Sequence, residues 1–429
     1  MSILQPATSV EAETVGWLFL DLNSYFASIE QELRPELRGK PVGVVPVFAD
    51  TTCCIAASYE AKAFNVRTGT RVADARTMCP GIEFVEARHE LYVEYHHKIV
   101  DAVESCVPVA VVMSIDEMAC KLIGRERVLP NALALASQIK KTIRDRVGST
   151  LRCSIGLAPN RYLSKVASDM QKPDGLVALT LNRLPQALFG LNLMDLPGIG
   201  HRTFARLQQQ GISTVEQLCR YSKEELIQLW GGIVGEKFWQ WLRGDDFNDL
   251  FGDQKSVGHS HVLPPEMRND ADSYAVANKL LHKAAIRLRR DRLWAGGLDL
   301  TIKYSVPRER AESTHSSGIS QSNWHKHLSL LECQDTQTLI EALQKLWSQR
   351  PRGPLYQRPF FVGVTLNNLV PEQLHSLDLF SEKKRAQLAR TMDSINAKYG
   401  SQMLYFGGMH AAKSSAPTRI AFQSIPDLF

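Results

Sequence analysis

Residues 107–122, VPVAVVMSIDEMACKL, set two carboxylates side by side in an otherwise apolar run. The stretches 109–113 and 118–122 read as two buried strands around Asp116 and Glu117. Burying one unpaired carboxylate is costly and two neighbours repel, so a fold that keeps this segment inside must bring positive charge to it. Adjacent residues of a regular strand point to opposite faces, so the pair converges only at a strand end or a hairpin turn. Ser114 and Ile115 suit such a turn. Residues 17–21 (WLFLD) form another apolar run that ends in a carboxylate, which makes Asp21 the natural third member. Three carboxylates meeting over a sheet make a cage for a hard divalent cation such as Mg2+. Two such ions, about 3.5–4 Å apart, clamp the attacking and leaving oxygens of a phosphoryl transfer. A solvated turn is the competing reading of a lone Asp-Glu pair, and the apolar strands on both sides weigh against it.

A chain of 429 residues is too long for one compact core, so several domains are expected. No apolar run approaches the roughly 20 residues that span a bilayer, and the polar segment 1–14 does not read as a secretory signal. A cytoplasmic protein with no membrane partner is expected. The eight cysteines are scattered and form no C-x-x-C pair, which argues against zinc and for small core residues in a reducing compartment. A formal charge of +5 permits nucleic acid as a partner without requiring it.

Along the chain, Asn23 reads as the cap of a helix carrying Phe26, Ile29 and Leu33 on one face. Residues 41–48 read as a strand. Residues 86–106 read as a long amphipathic helix with Leu91, Tyr95 and Val100 on its apolar side. A helix over 132–147 and a strand over 151–157 follow. Asn160 then caps a helix reaching Gln171, stopped by the turn KPDG at 172–175. Strands and helices interleave, which predicts a mixed α/β sheet domain. Residues 181–244 are purely helical in pattern, and 243–256 look like a linker. Strand and helix patterns resume to about residue 367, and a tail follows with one helix over 381–399. Lys279, Lys283, Arg287 and Arg290 recur at helical spacing opposite Leu281, Ala284 and Leu288, the pattern of a solvated helix face.

ASYEAKAFNVRTG (57–69) and PNRYLSKVASDMQKPDG (159–175) each place a lysine, Lys62 and Lys165, one helical turn beyond polar groups. Alone, either reads as a surface lysine; facing the carboxylates, both would neutralise a triphosphate and its leaving pyrophosphate. In DLPGIGHRTFARLQQQGI (195–212) a tight hairpin at 197–200 runs straight into a helix. Gly198 and Gly200 let the backbone approach a phosphate, and the helix start offers free N–H groups. That is the pattern of a helix-hairpin-helix, with a plain turn between bundle helices as the alternative.

Together these pieces resemble a bacterial Y-family translesion DNA polymerase, of the polymerase IV or polymerase V catalytic-subunit type. The resemblance covers about residues 15–370, with motifs in the family's order: FLDLNSYFASIE, ASYEAKAFNVRTGT, MSIDEMACKL, SIGLAPNRYLSKVASDMQKPDG, LPGIG and KSVGHSHVL. It implies a multidomain α/β and α+β right-hand polymerase. A mixed-sheet palm (1–25 and 87–178) and small fingers (26–86) would precede a helical thumb with the helix-hairpin-helix (179–246). A linker (247–255), an α/β little finger (256–370) and a C-terminal tail (371–429) would follow. By resemblance, Asp21, Asp116 and Glu117 are catalytic and hold two Mg2+ ions with the Leu22 carbonyl. Phe26 is the steric gate against a ribose 2′-OH, with Tyr25 beside it. Tyr59, Lys62 and Lys165 touch the triphosphate. The family often has Arg where this chain has Lys62, which loses the bidentate fork. Asn65 replaces a common Gly, tolerable if the backbone there is left-handed.

The little-finger sheet would face DNA, making Lys255, His259, Lys303 and Lys326 candidate contacts. Leu377, Leu379 and Phe380 in SLDLF (376–380) resemble a sliding-clamp-binding peptide, with QSIPDLF (423–429) as a competing tether. The implied partners are primer-template DNA, deoxynucleoside triphosphates, a sliding clamp and accessory mutagenesis proteins. No separate exonuclease-like acidic motif is present. The alternative is a relative acting mainly as a DNA- and clamp-binding scaffold; the presence of all three carboxylates speaks against it.

Overall fold

The computed structural model describes residues 13–247, 255–305, 321–353, 358–375, 383–400, 403–416 and 420. They fall into two compact units that divide between Asn248 and Asp249, with Ile420 belonging to the first. The clamp-peptide residues Leu377, Leu379 and Phe380, and the terminal 423–429, lie outside the described residues.

The first unit begins with β1 (Trp17–Leu22) and α1 (Tyr25–Leu33). A small excursion follows: β2 (Val42–Val45), β3 (Ala56–Ala57), α2 (Tyr59–Lys62), α3 (Val72–Met78) and β4 (Glu83–Glu86). The chain then returns through α4 (His89–Glu104), β5 (Val111–Val112), β6 (Glu117–Lys121), α5 (Leu129–Arg146), β7 (Cys153–Ala158), α6 (Arg161–Met170) and β8 (Leu176–Ala178). The main sheet has the order β5-β6-β1-β7-β8, with β1 antiparallel to both neighbours. The excursion builds its own three-stranded sheet, β3-β2-β4.

Alternation along β1 and β7 sorts the main sheet's two faces. Leu18, Leu20, Leu22, Cys153, Ile155 and Leu157 join the core that packs α1, α4 and α5. The other face carries Asp21 and Gly156, and α6 crosses there. A Cβ at Gly156 would lie 2.0 Å from the Ser164 carbonyl oxygen, so the glycine is what lets the helix lie so close. Asn160 caps α6 as its position suggested, accepting from the Leu163 N–H at 2.8 Å. Asn65 does adopt the left-handed backbone, with φ 63°.

Several local expectations change. Asn23 does not cap α1. Ser24 takes that position, and the Asn23 side chain instead accepts from the Asp174 N–H at 2.8 Å, tying the turn after α6 to the end of β1. Leu33 is exposed, and the inward face of α1 is Tyr25, Ala27 and Ile29. On α4 the buried stripe is Tyr92, Val93, His96, Ile99 and Val103, so Leu91, Tyr95 and Val100 only flank the core. The strand before the acidic pair shrinks from 109–113 to Val111–Val112, because β5 pairs with β6 at only two positions on the sheet edge.

The helical segment comprises α7 (His201–Gln209), α8 (Val215–Arg220), α9 (Lys223–Trp230) and α10 (Ile233–Leu242). They share a core with the inner residues of α6, including Leu163, Val166 and Ala167.

The second unit comprises β9 (Ser256–Val262), α11 (Asp270–Arg290), β10 (Leu293–Ser305), β11 (Gln321–Cys333), α12 (Thr336–Ser348), β12 (Pro359–Pro371) and α13 (Lys383–Tyr399). Its sheet runs β11-β10-β12-β9, all antiparallel, with α11 and α12 packed on one face. The basic stripe on α11 is a solvated face only at its C-terminal end, where Arg290 is exposed. Lys279 is buried, and its ammonium donates to the Lys413 and Ser415 carbonyls at 2.6 and 2.5 Å. Lys283 donates to the Ala416 carbonyl at 2.6 Å. These lysines therefore anchor the 3-10 turn Gly407–Ala412 and the segment behind it. Its Met409 and Ala412 are buried beside them.

Candidate active site

Asp21 and Glu117 are cross-strand partners on β1 and β6, so their side chains leave the same face of the sheet. Asp116 sits in the turn just before β6. The Leu22 N–H donates to its carbonyl at 2.9 Å, and the Ser114 hydroxyl donates to its carboxylate at 2.6 Å.

The positive charge that the sequence demanded comes from α6 and the turn after it. The Lys165 ammonium lies 2.6 Å from both Asp21 Oδ2 and Glu117 Oε1, and 3.2 Å from Asp169. The Lys172 ammonium lies 2.8 Å from Asp21 and 2.7 Å from Asp169. Burial pushes the Asp21 carboxyl up, but its two ammonium partners outweigh that and hold it below the usual range. Glu117 has one such partner, and burial leaves its carboxyl raised. Asp116 is raised too, by burial and then by repulsion from Asp21.

Among the described residues no three His, Cys, Asp or Glu side chains are gathered closely enough to hold a metal ion as they stand. The donor set nevertheless fits one. Its members are hard carboxylate oxygens, two of them already share a single cation, and the half-buried pair Asp116 and Glu117 remain short of positive charge.

Lys62 and Tyr59 reach the same site from α2. The Lys62 ammonium sits 4.4 Å from the centre of the Tyr59 ring. Burial lowers its pKa first, then the like charge of Lys172, with Asp21 opposing. Phe26 is half-buried at the start of α1, its ring stacked on Tyr92 with centroids 4.4 Å apart. Tyr92 is fixed in turn by donating to the fully buried Glu30 at 2.8 Å. Tyr25, grouped with the nucleotide contacts from sequence, is turned into the core. It is buried, and its hydroxyl donates to the Tyr92 carbonyl at 2.7 Å.

Lys172 and Asp169 were missed by the sequence reading. Asp169, four residues beyond Lys165, shares its helix face, and Lys172, seven beyond, is carried back over it from the KPDG turn. That spacing was the available signal.

Gly198 has φ 91°, with the Phe238 ring 3.3 Å from where its Cβ would be. Gly200 is the N-cap of α7 and would meet nothing within 4 Å. On β10, Lys303 lies across from Phe361 on the face opposite the helices, its ammonium 4.7 Å from that ring. Lys255 is exposed just before β9. His259 is not on that open face. It shares the side of Val257, is flanked by Lys283 and Arg287 of α11, and burial with those charges lowers its pKa to about 4. Lys326 points to the same side of its strand as Trp324 and Leu328, which pack against the core, so although exposed it also belongs to the helix side.

Three family models match the chain: the impB/mucB/samB family over residues 20–169, the DNA polymerase-iota thumb domain over 194–246, and the impB/mucB/samB family C-terminal domain over 254–379. DNA polymerase IV of Moorella thermoacetica is 34% identical, over 90% of this chain and 94% of its own length. DNA polymerase IV of Pelotomaculum thermopropionicum is 30% identical over 89% and 92%. Among solved structures, a Y-family DNA polymerase chimera of Dbh and Dpo4 matches with a TM-score of 0.66 at 21% identity, covering 83% of this chain and 99% of that one. An insertion ternary complex of Dbh DNA polymerase matches at 0.56 with the same identity and coverage. At that identity the structural likeness speaks for the fold alone.

Proposed function

We infer that this chain, which belongs to the bacterial Y-family DNA polymerases, performs template-directed DNA synthesis past damaged bases. The observation that carries the chemistry is the sharing of one cation by Asp21 and Glu117, with Asp116 alongside. In the reaction a primer 3′-hydroxyl oxygen attacks the α-phosphorus of a deoxynucleoside triphosphate. The new P–O bond forms as the bond to pyrophosphate breaks.

Asp21, Asp116 and Glu117, with the Leu22 carbonyl, would hold two Mg2+ ions, which when bound lower the hydroxyl pKa and offset the triphosphate charge. Lys165 and Lys172 present ammoniums to the anionic tail, and Lys62 and Tyr59 close it from the opposite side. The Phe26 ring, braced by Tyr92, lies under the incoming sugar and excludes a 2′-hydroxyl. Gly198 and Gly200 offer backbone N–H groups to DNA phosphates. Lys255 and Lys303 add charge to the same backbone, contacts that position DNA without reading sequence. His259 is not part of that set.

In this reading the sheet domain around Asp21 is the palm, the β3-β2-β4 excursion the fingers, α7–α10 the thumb and the second unit the little finger. Synthesis proceeds without proofreading. Leu377, Leu379 and Phe380 tether the enzyme to a sliding clamp, raising its effective concentration at the primer end.

The test is primer extension with Asp116→Ala and Glu117→Ala. Both should lose Mg2+-dependent extension while binding primer-template DNA within about threefold of wild type, since phosphate contacts elsewhere supply most of that affinity. Near-normal extension by both variants sinks the mechanism.

A further inference from the structure

The turn that carries Asp116 is anchored from three directions. Within the hairpin, the Met113 and Ser114 N–H groups both donate to the Glu117 carbonyl, at 2.9 and 3.2 Å. From β1, the Leu22 N–H donates to the Asp116 carbonyl at 2.9 Å. The third anchor comes from the layer beneath the sheet. His96, on the buried stripe of α4, has its Nδ1 2.8 Å from the Ile115 carbonyl oxygen. Both residues are sealed from water, with His96 2% and Ile115 5% exposed. A carbonyl can only accept, so Nδ1 carries the hydrogen, which fixes the tautomer.

The Ile115 carbonyl and the Asp116 N–H are the two ends of one planar peptide group. The N–H end reaches the Ser114 hydroxyl at only 3.4 Å, a long contact. The carbonyl end has the short bond. We propose that His96 is a positioning residue for the reaction, its Nδ1–H setting the plane of the Ile115–Asp116 peptide and with it the directions of Asp116 and Glu117.

This deepens the polymerase reading and rests on it. Losing the donor leaves a buried carbonyl unmet and frees the peptide plane to tilt. A tilt displaces two carboxylates whose placement the reaction depends on, and misplacement near 1 Å costs up to about a hundredfold in rate. Burial lowers the imidazole pKa, which favours the neutral ring, and the Ile115 carbonyl keeps its hydrogen on Nδ1.

Three variants decide it. His96→Leu keeps apolar bulk and removes the donor. His96→Asn puts an amide nitrogen three bonds from Cα, where Nδ1 stands. His96→Gln puts it one bond too far. Single-turnover extension is measured across Mg2+ concentrations, with primer-template Kd and the melting temperature measured in parallel.

The Leu variant should extend at least about tenfold more slowly and need more Mg2+, with DNA Kd within about twofold. Asn should recover extension to within about threefold of wild type, and Gln should not. If Leu fails to fold, the Asn–Gln comparison decides alone, at a temperature where both remain folded. Extension by Leu within twofold of wild type, or equal extension by folded Asn and Gln variants, overturns the proposal. Absence of Mg2+-dependent extension by the wild-type protein overturns the polymerase reading instead.

Discussion

Gly156→Ala tests the packing that delivers Lys165 to the carboxylates. The new methyl would sit 2.0 Å from the Ser164 carbonyl oxygen and 2.4 Å from the Ser168 nitrogen, both backbone atoms of α6. Ordinary contact begins near 3.4 Å, so α6 must retreat by about 1.4 Å or β7 must bend. Overpacking of this kind costs roughly 1–3 kcal/mol. For a unit of this size that lowers the melting temperature by about 2–4 °C per kcal/mol. The functional cost comes from the same displacement. Lys165 rides on α6, and its ammonium is shared between Asp21 and Glu117 at 2.6 Å each, so a retreat of that size breaks at least one bond unless the side chain stretches. Extension should fall by up to about a hundredfold at a temperature where the variant is folded. Gly190→Ala is the control, because a Cβ there meets nothing within 4 Å. If Gly156→Ala melts with wild type and extends DNA normally, α6 is not held at Gly156 and the account of how Lys165 reaches the site fails.

Phe26→Ala should raise ribonucleotide incorporation relative to deoxynucleotide by about tenfold or more, read from single-nucleotide insertion; unchanged discrimination would make Phe26 a core residue stacked on Tyr92 and nothing else. His259 predicts an acid-sensitive second unit. Below pH 6.5 the unfolded chain binds a proton that the folded one refuses until about pH 4, so stability falls through that window by up to about 3 kcal/mol. Urea midpoints at pH 7, 5.5 and 4 should show that slope, and His259→Gln should flatten it; an equal slope in both proteins refutes the assignment. Leu379→Ala with Phe380→Ala should abolish clamp-stimulated synthesis and spare clamp-independent extension. If neither changes, removing residues 423–429 tests the other candidate tether.

The parts of the site that lie along single strands were readable from sequence. Asp21 ends an apolar run and Glu117 begins one, and alternation alone puts both where a neighbouring strand can match them. The Asn160 cap and the left-handed Asn65 were readable for the same reason, since each depends on a residue's own backbone. What sequence did not carry was partnership across the fold. Asn23 looks like a cap, yet it serves the turn at Asp174. Lys279 and Lys283 have the spacing of a solvated helix face, yet carbonyls over 130 residues away claim them. Tyr25 and Phe26 are adjacent aromatics of similar shape. Only the Tyr92 carbonyl, which captures the Tyr25 hydroxyl, shows which ring turns into the core.

Charge balance joins the opening puzzle to the chemistry. Four carboxylates surround the site without converging on one point: Asp21, Asp116, Glu117 and Asp169. The two ammoniums bonded among them, Lys165 and Lys172, leave two negative charges uncompensated. The deficit falls unevenly. Asp21, with both lysines, stays readily ionised, whereas Asp116 and Glu117 resist ionisation. Lys62 reaches the site from α2 but is paired with none of these carboxylates, and a site that only needed to be stable would bring it into contact with them or replace a carboxylate with an apolar residue. Leaving it open costs stability, and the return is a place where a divalent cation is electrostatically welcome. It also leaves two lysines able to trade carboxylate oxygens for phosphate oxygens of the same charge type. The free protein thus holds its cations on one set of anions while remaining short of charge for another, which is the arrangement that the proposed binding of a metal-bound triphosphate requires.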